Sequence, residues 1–153
     1  MKAASKFLTI LAVALFVCAL MLPALQIVVL GKDTSWEGWR ATAFALSGWR
    51  GIEKNPAILL LVAAGLGNIT FFFAPWLLLF GKPEAKSLRT FAVLVVGALA
   101  LAVWSPHSLP SDASKPLIGY FIWLLAYIAL FGGTVLLLRE TARFGHADMA
   151  RRQ

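Results

Sequence analysis

Charge is missing from four long stretches of this chain. No Asp, Glu, Lys or Arg occurs between Lys6 and Lys32, between Asn55 and Gly81, between Arg89 and Asp112, or between Lys115 and Arg139. Charged groups inside a membrane usually mark ion, proton or substrate paths, so their absence argues against proton-coupled antiport and against catalysis at mid-membrane. Cysteine is nearly missing too. Cys18 stands alone, which excludes an internal disulfide and a C-x-x-C thiol oxidoreductase. Val17 before it does not suit a lipoprotein processing site, and Cys18 is read as an inert thiol within the first apolar stretch. The only histidines are His107 and His146, and the acidic residues are few and scattered. No nucleophile motif or second metal ligand accompanies His107 and Asp112, so neither a cofactor nor a metal site is expected, and an enzyme is the least favoured class.

What is present is apolar: 60% of the 153 residues are hydrophobic. A helix of roughly 20 apolar residues crosses a bilayer, and four such helices with their connections use up the chain. The predicted spans cover about 7–30, 56–80, 88–104 and 117–138, within a single membrane domain over 1–153. The fold class expected is an all-α membrane protein, an antiparallel four-helix transmembrane bundle with a short interfacial helix in the first outer loop, 31–55. The first run exceeds the 7–15 apolar residues of a signal-peptide core and is read as an uncleaved span, kinked at Pro23. Asn55-Pro56 reads as a cap and first helical residue, as does Ser114 with Pro116 near the start of the last span. The net charge of +7 lies on the flanks of the spans, where it sets orientation and meets anionic lipid; nucleic acid is not the expected partner. Nine basic residues fall on the side of the termini and the middle loop, against five in the first and third loops. Both termini are therefore expected in the cytoplasm.

Tryptophan is concentrated in the first loop. Ser35 can cap a helix over 36–47, on which Trp36, Trp39, Ala43 and Leu46 share one face. Together with Trp49, Trp104 and Trp123, five of the six tryptophans are predicted near the outer surface. An aromatic belt at head-group depth accounts for them. The functional alternative is a ligand or partner surface formed by Trp36, Trp39, Trp49, Trp104, Tyr120, Trp123 and Tyr127, with the loop capping a cavity open to the outer leaflet. Tyr120, Trp123 and Tyr127 recur at i, i+3, i+7, and the Tyr127 hydroxyl is deep enough to need a partner, expected on the second span. Asn68 and Thr70 are the polar residues of that span, and Gln26 is the corresponding one in the first. Asn68 is expected to bond to a neighbouring helix or to a ligand beside a kink at Pro75. Ala129 and Gly133 form a small-x-x-x-small pair suited to close helix contact.

The run Gly38-Trp39, Gly48-Trp49, then Asn55-Pro56, with Gly119-Tyr120 and Trp123 in the last span, resembles a group of small four-span proteins of bacterial inner membranes. Those proteins carry a tryptophan just before the Asn-Pro, where this chain has Ile52 and Glu53. The resemblance implies location and architecture, and brings no activity with it. The leading expectation is a non-enzymatic protein of the lipid bilayer. It would be an accessory subunit with a membrane-protein partner or a second copy of itself, or a binder of an apolar ligand at the outer leaflet. The alternative is a small oligomeric transporter or channel.

Overall fold

The computed structural model describes residues 3–29, 32–47, 58–81, 83–104 and 114–151. Trp49, the Asn55-Pro56 helix start and His107 lie outside them. Four helices are long and apolar enough to cross a membrane: Ala3–Met21, Val62–Phe80, Ala85–Trp104 and Ile118–Ala142.

The chain begins with α1 (Ala3–Met21). The expected first span, 7–30, is corrected here: the helix stops nine residues early. Pro23 ends it rather than kinking it, because a residue before proline avoids the helical region. Leu22 makes the last helical hydrogen bond, to the Cys18 carbonyl at 3.1 Å. Apolar sequence then continues as strand β1 (Pro23–Val29), in which Ile27, Val28 and Val29 are β-branched. β1 pairs antiparallel with β2 (Lys32–Glu37), from Val29↔Lys32 back to Pro23↔Glu37. On its other edge β1 pairs with the short β3 (Ser114–Pro116), with Leu25 opposite Pro116. The bundle thus carries a small sheet in the order β2-β1-β3. Ser114 and Pro116 are strand residues, not the start of the last helix.

Helix α2 (Gly38–Ser47) follows β2 directly. The second apolar run is divided into α3 (Ile58–Gly67) and α4 (Ile69–Pro75), with Asn68 at the break. A π-helical turn, Trp76–Phe80, completes it after Pro75. α5 (Ala85–Trp104) and α6 (Ile118–Arg151) are continuous.

Small residues let these elements approach. The Gly38 N–H donates to the Leu22 carbonyl at 3.0 Å, and a Cβ on Gly38 would overlap the Ala19 carbonyl oxygen. A Cβ on Gly119 would lie 2.9 Å from the carbonyl oxygens of both Leu22 and Pro23. Helices α1 and α6 run antiparallel: Gly119 meets the end of α1, and Gly133 meets Ser5 and Thr9 near its start. Between them the core is aromatic and aliphatic. Phe16 stacks on Phe71 at 4.3 Å, and Phe71 meets Tyr127 edge-on at 4.8 Å. Leu78, Leu88, Val95 and Leu130 are fully buried. The outward sides are apolar as well, with Phe72 73% exposed, Trp76 74%, Phe80 77% and Val93 71%.

Candidate functional site

Asn68 interrupts the second apolar run. Its N–H donates to the Gly65 carbonyl at 3.1 Å, and its own carbonyl accepts from Phe71 N–H at 3.0 Å. Both bonds span three residues instead of four, so the helix tightens here. The Thr70 hydroxyl takes up the Gly67 carbonyl at 2.7 Å. The Asn68 amide makes no cap bond to its own helix and reaches to other elements.

The indole Nε1 of Trp123 donates to Asn68 Oδ1 at 2.7 Å. An indole N–H can only donate, which fixes the amide with its oxygen towards α6. The Tyr127 hydroxyl donates to the same oxygen at 3.3 Å. Asn68 Nδ2 donates in the opposite direction, to Thr42 Oγ1 on α2 at 3.2 Å. One buried amide, 4% exposed, therefore ties α2 to α6 through the break between α3 and α4. Gly67 admits this arrangement: a Cβ there would sit 2.9 Å from Ala98 Cβ and 3.0 Å from the Tyr127 hydroxyl. One turn away, the Tyr120 hydroxyl donates to the Ala102 carbonyl at 3.0 Å, joining α6 to α5.

A partly open cavity of about 60 Å³ lies beside the amide, beneath α2 and β1. Its wall is built of small residues, among them Ala19, Gly38, Ala41, Ala45, Gly65 and Gly119. Asn68, Thr42, Tyr120 and Trp123 supply its polar atoms, and none of its described lining residues is charged. A partly open site of this size has room for a small apolar group entering from the open side, with one or two hydrogen bonds to orient it. Among the described residues, no three His, Cys, Asp or Glu side chains gather as a metal site.

Of the aromatic residues singled out from the sequence, Tyr120 and Trp123 line the cavity, and Tyr127 joins through Asn68. Trp36 and Trp39 do not line it. Trp36 belongs to β2 and packs edge-on against Phe44 at 5.2 Å. Trp39 is half exposed, with the Arg40 guanidinium 5.2 Å from its ring centre. Trp104 is 60% exposed at the end of α5. Gln26 is not in a spanning helix at all; it lies on β1, opposite Ser35 and Lys115. The contribution of α2 comes from its small face, where Gly38, Ala41, Thr42 and Ala45 recur at i, i+3, i+4, i+7. That helical spacing marks the buried side; Trp39 lies on the exposed side of the same helix.

Comparison with family models, with curated proteins and with solved structures finds no match.

Proposed function

We propose that this chain is a multi-pass protein of a bacterial inner membrane that binds an apolar ligand in the cavity beneath α2, without catalysing a reaction on it. The observation that carries the reading is the cavity itself: small-walled, free of charge in its described lining, and floored by a buried amide. The apolar outward sides of the helices support the membrane setting, because large exposed apolar surfaces are unusual on proteins in water. The excess of basic residues flanking the other end of the bundle supports cytoplasmic termini. In that orientation the sheet and the cavity belong to the outer leaflet.

The test is capture of ligand by the full chain. Native mass spectrometry of the detergent-extracted protein is expected to show a retained lipid-sized species. Ala41 lines the cavity from α2, and Ala41→Phe fills it with apolar volume. This variant is expected to keep its helical content and lose the retained species. Equal retention by both proteins would place the ligand elsewhere and end the reading.

A further inference from the structure

We propose that the cavity recognises a neutral acyl ester, whose carbonyl oxygen accepts a hydrogen bond from the Thr42 hydroxyl. The inference rests on the cavity being a ligand site, as proposed above, and names the chemistry that the site selects.

Hydrogen-bond capacities lead to it. Both lone-pair positions of Asn68 Oδ1 are taken, by Trp123 and by Tyr127. The Asn68 amide nitrogen carries two hydrogens, and Thr42 Oγ1 receives one of them. The Thr42 hydroxyl accepts in that bond, so its own hydrogen remains to be given. Among the described residues no acceptor takes either remaining hydrogen, and both residues line the cavity. The two hydrogens of an amide diverge, so with one directed at Thr42 Oγ1 at 3.2 Å the other cannot share the acceptor that the Thr42 hydroxyl meets. Asn68 N–H, Thr42 O–H and the acceptor form a chain. What the site asks of its occupant is an acceptor.

Charge narrows the class. With no cation among the described lining residues, a carboxylate or phosphate would be desolvated without a partner, which is strongly unfavourable. A cation would meet two donors and no acid. A plain hydrocarbon would leave the Thr42 donor unmet, and an unmet buried donor is costly. Water can satisfy it, and the cavity has room for one, so water is the occupant that a ligand must displace. A carbonyl on an apolar body satisfies the Thr42 donor and puts its remaining surface against the alanine and glycine wall. In a membrane, the acyl ester supplies that combination.

Thr42 is the residue to vary, because valine keeps its shape and removes the hydroxyl. Delipidated full-length protein in detergent is titrated with methyl oleate, with oleyl methyl ether, which lacks the carbonyl, and with menadione, a ring diketone. Binding is read by native mass spectrometry. Wild type is expected to hold the ester about tenfold more tightly than the ether, the scale of one well-made hydrogen bond. Thr42→Val is expected to lose about fivefold in ester affinity with ether binding unchanged, which also shows that the variant is folded. Thr42→Ser is expected to retain the preference. Equal binding of ester and ether by wild type, or an unaffected Thr42→Val, overturns the carbonyl assignment and leaves the apolar-ligand reading intact. Tighter binding of menadione than of the ester overturns the choice of an ester. Failure of wild type to bind any of the three removes both readings together.

Discussion

The two ends of the bundle satisfy their polar groups in different ways. At the end away from the sheet, hydroxyls donate to backbone carbonyls: Ser5 to Gly133 at 3.0 Å, Thr9 to Ser5 at 3.0 Å and Thr134 to Leu130 at 2.8 Å. Each of these hydrogens is used within the protein. At the sheet end Tyr120 and Thr70 also donate to backbone carbonyls, but Asn68 links side chains. It accepts from Trp123 and Tyr127 and donates to Thr42, and among the described residues donors are left over beside a cavity. The first pattern needs nothing further and reads as helix packing. The second leaves donors beside a cavity, which is why the proposed ligand site is placed at this end and not at the other.

Substitutions can break or sharpen this contrast. The largest effect is expected from Gly38→Val, because the new side chain must displace backbone at Ala19 and Leu20. A loss of about 3 kcal/mol, at the upper end of overpacking effects, is expected in detergent unfolding. A change below that of Gly133→Ala would mean that α2 does not seat so closely on α1.

Next comes the amide. Asn68→Leu leaves the Trp123 indole donor without its acceptor, and about 2 kcal/mol is expected. Trp123→Phe removes one bond and is expected to give about 1 kcal/mol, and Tyr127→Phe about 0.5 kcal/mol, since its bond is longer. The order is the test: a Tyr127 effect larger than that of Trp123 would contradict the orientation assigned to the amide.

At the opposite end the effect is as small as that of Tyr127→Phe. Ser5→Ala removes a single bond to α6 and is expected to cost about 0.6 kcal/mol. Any change in ligand capture on that substitution would undo the division between the ends. Gly97→Ala should act with the opposite sign. Nothing lies within 4 Å of a Cβ there, so the gain in helix propensity, about 0.5 kcal/mol or slightly more, is unopposed.

Much of this architecture was legible in the sequence, through one physical signal. Charge-free length located the four helices that are long and apolar enough to cross a membrane. The same signal failed at their ends. Apolarity does not separate a helix from a strand, and the run through Ile27, Val28 and Val29 continued the first span past Pro23 on paper while the chain turned into a sheet. The pairing of β1 with β3 joins residues 23–29 to 114–116, a contact between distant segments with no local pattern to announce it. Within the site, a need for partners was readable at Asn68 and Tyr127, because buried amides and hydroxyls require them. Which partners they found was not. Thr42 is an ordinary residue in the sequence, and it matters because Gly38 and Ala45 bring its helix close enough to bond. A helical projection puts Trp36 and Trp39 on one face, but Trp36 belongs to β2, and for Trp39 the projection does not tell which side of α2 faces inward.

The most direct test is to ask where a lipid touches this protein. A diazirine-bearing acyl ester would be photolysed with the full chain in vesicles, and the adducts mapped by peptide mass spectrometry. Adducts that a cavity ligand competes away are expected to concentrate in residues 19–25, 38–45, 64–68 and 119–123, which contain the cavity lining, and to vanish in Ala41→Phe. Adducts spread evenly over the exposed apolar sides, at Phe72, Phe80 and Val93 as much as at the cavity, would contradict the account.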